Sequence, residues 1–175
     1  MKIKVTALIL VLLFSSSVLG LGLGPQVGIY KSKDADKSST MFGLALRTKL
    51  LPTLGIEGSI NYRQEKYMDG WVTVKSWPIQ ATGLIYVLPI LYGAAGMGWY
   101  NVTIDYKDEL EIEDETARRI GWHFGGGLEL PLGPSMTLAG DVRYVFLDYK
   151  FKEVPGSGDK KNDFYVIAIS LLFGL

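Results

Sequence analysis

The chain of 175 residues carries 18 basic and 18 acidic side chains and a single histidine, a formal net charge of zero. No basic excess exists to neutralise phosphates, which excludes a nucleic-acid binder. The chain has no cysteine, which excludes a disulfide framework and a lipid-modified cysteine anchor.

Hydrophobic residues nevertheless make up 48% of the chain, with 21 glycines and 10 tyrosines, and the mean hydropathy is +0.19. The amino-terminal segment accounts for part of this. Lys2 and Lys4 precede an apolar run from Val5 to Phe14, followed by Ser15, Ser16, Ser17, Val18, Leu19 and Gly20. That order is the pattern of a secretory signal peptide over residues 1–20, cleaved near Gly20 or Gly22. Its apolar run is about ten residues, half of the roughly 20 that a helix needs to cross a bilayer. Residues 21–175 then form one domain, long enough for a single core and without a linker to divide it.

Eight strands are predicted in chain order, near 22–31, 40–50, 54–64, 72–87, 91–106, 118–130, 136–150 and 163–175. Three tight turns punctuate them: Leu51-Pro52-Thr53-Leu54, Leu88-Pro89-Ile90-Leu91, and Leu130-Pro131-Leu132-Gly133-Pro134-Ser135. Proline has no N–H to give to a ladder, so each marks a strand end. Longer polar loops alternate with these turns, at about 32–39, 65–70, 107–117 and 152–162. Strands four to seven are long enough to project beyond a membrane, and such extensions expose edges for partners.

Within the strands, residues sort by parity, the period-two signature of β structure. In strand two, Phe42, Leu44, Leu46 and Leu50 oppose Gly43, Ala45, Arg47 and Lys49. In strand three, Ile56, Ile60 and Tyr62 oppose Glu57, Ser59, Asn61 and Arg63. Strand six places Ile120, Trp122, Phe124, Gly126, Leu128 and Leu130 against Arg119, Gly121, His123, Gly125, Gly127 and Glu129. In strand seven, Met136, Leu138, Val142, Tyr144 and Phe146 oppose Thr137, Ala139, Asp141 and Arg143.

A soluble lipocalin-like barrel shares this alternation, so the faces must be oriented. Bulky side chains from all eight strands would overfill an interior barely wide enough for side chains. The small residues Gly43, Ala45, Gly121, Gly125, Gly127 and Ala139 instead leave room for charged ones. Facing an arginine to lipid near the midplane costs about 2–4 kcal/mol. The expected fold is therefore all-β, an eight-stranded antiparallel up-and-down transmembrane β-barrel. Arg47, Glu57, Arg63, His123, Glu129, Asp141 and Arg143 form its interior polar network, paired because an unpaired buried charge is costly. The lipid-facing band comprises Phe42, Leu44, Leu46, Ile56, Ile60, Trp122, Phe124, Leu138, Val142, Tyr144, Ile169 and Leu171. Two aromatic girdles follow: Trp71, Trp77, Trp99, Tyr100, Trp122, Tyr144 and Tyr149 toward the loops, and Tyr86, Tyr92 and Phe173 near the turns.

The segment Gly121-Trp122-His123-Phe124-Gly125-Gly126-Gly127-Leu128-Glu129-Leu130, with a proline turn and then Leu138-Ala139-Gly140-Asp141-Val142-Arg143-Tyr144, resembles a Gly-x-Gly-x-Glu strand followed by an acidic residue and Arg-Tyr. It is similar to the small bacterial outer-membrane β-barrel proteins of the OmpA/OmpX/OmpW and opacity-protein type, over essentially the whole mature chain. The last strand resembles that family's assembly signal, with Ile167, Ile169, Leu171, Phe173 and Leu175 on one parity; Leu175 stands where an aromatic is usual. The resemblance implies an outer-membrane location, contact with lipid and lipopolysaccharide, and delivery by periplasmic chaperones and the barrel-insertion machinery.

No catalytic residue, cofactor or metal site is expected. His123-Phe124 looks like the His-aromatic-Ser start of barrel-shaped lipid A deacylases, but position 125 is Gly, so the nucleophile is missing, and His123 has inward parity. Asp105, Asp108, Glu109, Glu111, Glu113, Asp114 and Glu115 make an acidic run without the Asp-x-Asp-x-Asp-Gly frame of a calcium loop, and read as a solvated loop. Two classes of function remain: a non-enzymatic surface or structural protein presenting four external loops on a filled barrel, and a porin-like or OmpW-like barrel passing small or hydrophobic solutes. A charged, packed interior favours the first.

Overall fold

A computed structural model describes residues 20–32, 38–67, 72–106, 115–149, 160–161 and 163–175. Residues 1–19 of the expected leader lie outside them, as do residues 107–114 of the acidic run.

Among the described residues ten strands follow one another: β1 (Gly22–Ser32), β2 (Ser39–Leu51), β3 (Leu54–Tyr67), β4 (Val72–Leu88), β5 (Leu91–Tyr106), β6 (Glu115–Pro131), β7 (Met136–Phe146), β8 (Asp148–Tyr149), β9 (Lys160–Lys161) and β10 (Phe164–Gly174). Eight of them close into a barrel in the order β1-β10-β7-β6-β5-β4-β3-β2, every neighbouring pair antiparallel. The remaining two, β8 and β9, pair with each other. The up-and-down barrel expected from the hairpin count is therefore the observed fold, with the three proline turns at one end.

Several boundaries differ from the expectation. Strand seven, expected to reach residue 150, ends at Phe146. The reason is local: β10 begins at Phe164, opposite Val145, so the ladder on that side has no strand to continue along. At the loop end it is β3, β4, β5 and β6 that stand tall, pairing as far as Tyr67 with Val72 and Ile104 with Glu115, rather than strands four to seven.

Parity sorts the barrel wall into two surfaces. Phe42 (59% exposed), Leu44, Ile56, Trp122 and Phe124 point outward, whereas Arg47 (3%), Glu57, His123, Asp141 and Arg143 are buried in the bore. The inward glycines do more than leave room for neighbours. A Cβ on Gly43 would meet the Ile60 carbonyl oxygen, and one on Gly125 the Val142 carbonyl oxygen. Backbone crosses backbone too closely there for any side chain. The outward Gly58 and Gly93 face open space.

One expectation about the aromatics is corrected. Tyr86, Tyr92 and Tyr100 are 4%, 1% and 1% exposed and fill the bore instead of belonging to a girdle. They share the parity of the inward residues Thr82, Leu84 and Ala94, and their hydroxyls find polar partners there, as a buried phenol requires. Trp77, Trp99, Trp122 and Phe173 do point outward, while Tyr144 is half-buried on the outer wall. Trp71 and the side chain of Tyr149 lie outside what is described.

Candidate functional site in the barrel bore

Alternation aims side chains of one parity into the bore from every strand, and charges of both signs meet at the turn end. Glu57 on β3 bridges two arginines: its Oε2 receives Nε and Nη2 of Arg47 at 2.9 and 2.5 Å, and its Oε1 receives Nη2 of Arg143 at 2.6 Å. Arg143 Nη2 and Nε lie 3.0 and 2.8 Å from the Asp141 carboxylate. Arg47 Nη1 reaches Glu129 Oε2 at 3.1 Å, and Lys49 Nζ reaches Glu129 Oε1 at 2.7 Å. The result is a chain of alternating sign, Lys49–Glu129–Arg47–Glu57–Arg143–Asp141.

Two tyrosines fasten it. Tyr86 Oη donates to Glu129 at 2.5 Å, and Tyr92 Oη accepts from Arg47 and donates to Asp141, both at 3.1 Å. Lys49 and Arg47 also lie over the Tyr86 and Tyr92 rings, at 4.2 and 4.8 Å from the centroids. Thr82 Oγ1 accepts from Arg143 Nη1 at 3.2 Å and lies 2.9 Å from His123 Nε2. His123 thus joins the edge of the cluster, 2% exposed and turned away from the outer wall.

Of the seven residues expected in the interior network, six are brought together in this way. Arg63 stands apart toward the loop end, its guanidinium carbon 4.9, 5.6 and 4.4 Å from the ring centres of Tyr30, Tyr100 and Phe164. Those rings belong to an apolar layer with Met41, Val102, Val145, Leu147, Val166 and Ala168. Between the two layers lie neutral polar groups: Gln26 donates to Ser170 at 2.9 Å, and Gln80 to Tyr100 Oη at 2.8 Å. A void of about 20 Å³ remains there, lined in part by Asn61, Gln80, Tyr100 and Arg143, room for about one water.

Lys49, Thr82, Tyr86 and Tyr92 complete the cluster and were absent from the expected network. Parity was the signal that placed Lys49 with Arg47 and could have placed the two tyrosines. Among the described residues no group of carboxylates and histidines is arranged to hold a metal ion. Chemically the cluster is a set of buried ion pairs, and the hydroxyl beside its histidine, Thr82 Oγ1, is engaged by Arg143 as well.

On the outer wall, Ile167, Ile169, Phe173 and Leu175 are about half exposed, and Leu171 shares their face. Leu138 and Leu171 are directly paired across β7 and β10, as are Leu44 and Ile60 across β2 and β3. Leu46 and Val142 complete this apolar exterior. Its charged residues appear toward the loop end, where Lys31 and Arg118 are exposed.

The sequence profile described as "Outer membrane protein beta-barrel domain" matches residues 6–171. No curated protein sequence matches the chain. Among solved structures the fold is similar to neisserial surface protein A, with a TM-score of 0.65 and 14% identity over 89% of this chain and 97% of that one. It is similar to a major outer membrane protein of Thermus thermophilus, with a TM-score of 0.58 and 12% identity over 87% and 98%. It is also similar to Ail, the attachment invasion locus protein of Yersinia pestis, solved in complex with the heparin analogue sucrose octasulfate, with a TM-score of 0.51 and 18% identity over 89% and 95%. At such identities the likeness is one of fold.

Proposed function

Because this chain belongs to the outer-membrane β-barrel domain family, and so is a protein of the outer membrane, we propose that it is a non-enzymatic surface protein whose filled bore anchors four external loops. The observation that carries this reading is the double obstruction of the bore. The ion cluster from Lys49 to Asp141 blocks the turn end, and the layer of Tyr30, Tyr100 and Phe164 around Arg63 blocks the loop end. Water or a solute would have to displace both. An eight-stranded barrel normally has no lumen to spare.

In this reading the outward apolar band, from Phe42 to Leu171, meets lipid and lipopolysaccharide. Residues 1–20 direct export and are removed. Periplasmic chaperones carry the chain, and the insertion machinery reads Ile167, Ile169, Leu171, Phe173 and Leu175 on the strand that closes against β1. The position of His123 supports the absence of hydrolytic chemistry: it is 2% exposed and bonded to Thr82 inside the bore, out of reach of a lipid substrate.

Planar-bilayer recording of the refolded protein tests the proposal. The expected result is a quiet membrane at protein densities where a porin gives unitary steps. Stable unitary steps whose size changes with substitution of Arg143 would overturn it in favour of solute passage.

A further inference from the structure

Small residues such as Gly58, Gly83 and Gly93 face outward elsewhere on the wall, and between β6, β7 and β10 the wall dips. Gly126 and Gly140 form the floor of a groove of about 430 Å³, and Leu128, Leu138, Val142 and Ile169 rise around it. The pairing explains the shape: Gly140 lies between Leu128 on one side and Ile169 on the other, and Gly126 lies beside Val142. The volume falls in the range of about 300–1,000 Å³ usual for ligand pockets.

At Gly126 the backbone keeps the floor low, since a Cβ there would come within 3.0 Å of the Tyr92 carbonyl oxygen, but at Gly140 it does not. A Cβ on Gly140 would find its nearest neighbour, the Ala168 carbonyl oxygen, at 3.8 Å, an ordinary van der Waals distance. That separates Gly140 from Gly43 and Gly125, whose inward sides are closed by a carbonyl oxygen. A side chain would fit at 140, as at the outward Gly58 and Gly93, and the space it would take there belongs to the groove. An unfilled recess in an apolar wall forfeits dispersion contacts along its whole lining, so its occupant is slender and apolar.

We propose that one hydrocarbon chain of a phospholipid from the periplasmic leaflet lies in this groove. The inference rests on the reading that the outward face meets lipid, with which the groove is continuous. Depth selects the leaflet. Leu130 and Leu138 face each other beside the turn at residues 132–135, and Gly126 and Val142 face each other four residues further along. At a rise of about 3.4 Å per residue and a tilt of about 40°, four residues climb roughly 10 Å, close to half of the apolar band of about 25 Å. The groove therefore sits in the leaflet on the turn side, away from lipopolysaccharide. Its walls are aliphatic, so it takes the tail and leaves the headgroup at the interface.

Photolabelling of the folded barrel in bilayers containing phosphatidylethanolamine with a diazirine in one tail tests this. Adducts should concentrate on Leu128, Val142 and Ile169 several-fold over the outward residues Leu44 and Leu46 on the far wall, and Gly140→Leu should abolish the excess while heat-modifiable migration shows the barrel intact. Uniform labelling around the barrel, or an excess that survives both Gly140→Leu and Gly140→Ile, would overturn the groove and leave lipid contact standing. Absence of label at Leu44 and Leu46 as well would overturn both. In asymmetric membranes, labelling of the groove from lipopolysaccharide tails would assign it to the wrong leaflet for this proposal. Dimers that Gly140→Leu dissolves would give the groove to a second copy of the chain, which also overturns it.

Discussion

Glu57 and Arg143 meet at 2.6 Å across the full width of the bore. Their strands, β3 and β7, are four places apart in a ring of eight, so the pair spans a diameter. Arg47 and Glu129, on β2 and β6, form a second such strut at 3.1 Å. With side-chain exposures of 0–10%, each of these four groups finds its ionic partners inside the bore.

Removing one partner should therefore cost far more than removing both. Glu57→Gln strips the shared acceptor from two arginines, and Arg143→Met leaves Glu57 with Arg47 alone. Each single variant should lose about 3–5 kcal/mol, and the double variant should recover part of that loss. Urea titration of the refolded barrel, followed by tryptophan fluorescence, measures both. Single variants as stable as the parent would show that the struts do not hold the wall together.

Glycine positions on the two sides of the wall should respond oppositely. Gly125→Ala drives a methyl group against the Val142 carbonyl and should cost at least the 1–3 kcal/mol usual for overpacking. Gly58→Ala, with open space outward, should be neutral or gain up to about 1 kcal/mol. The same urea titration reads the contrast, and equal effects would contradict the geometry.

Exterior and interior substitutions should separate in assembly. Leu44→Arg and Leu138→Arg should each cost about 2–4 kcal/mol if they lie near the lipid midplane, and should lower the heat-modifiable fraction recovered in outer membranes. Ala45→Ser and Ala139→Ser enter packed interior positions, 0% and 1% exposed, where a hydroxyl must find a partner. Their penalty should stay nearer 1 kcal/mol. An interior serine as damaging as an exterior arginine would speak against lipid on the outer face.

The two obstructions of the bore predict a conditional leak. Thinning the aromatic layer with Tyr100→Ala, or the ion cluster with Arg143→Ala, leaves the other layer in place and should give no conductance. The combined variant should conduct in planar bilayers. A leak from Tyr100→Ala alone would mean that the charged layer does not seal the turn end.

Much of this architecture was legible along the chain, because hairpin periodicity depends only on neighbours. Pro52, Pro89 and Pro131 mark the turn-end rim, and the parity of Arg47, Glu57, Asp141 and Arg143 assigns them inward. Depth was not legible. Glu57 and Arg143 are 86 residues apart, and which inward residues share a level depends on strand tilt and stagger, quantities set by closure of the whole barrel. Arg63 has the same inward parity as Glu57 yet stacks on Tyr100 and Phe164, a level nearer the loops. Tyr86 and Tyr92 illustrate the opposite failure: their position near a rim suggested a girdle, although their parity already placed them inside.

The charges of the cluster are not balanced within each hairpin. The β2–β3 hairpin brings Arg47, Lys49 and Glu57, one positive charge in excess, and the β6–β7 hairpin brings Glu129, Asp141 and Arg143, one negative charge in excess. A sheet still open in the membrane would carry both excesses unneutralised, at an energetic cost that grows as water is expelled. Closure discharges them together. The struts thus tie the charge balance of the wall to the sealed cylinder, in which the excess of one hairpin is met by that of the other.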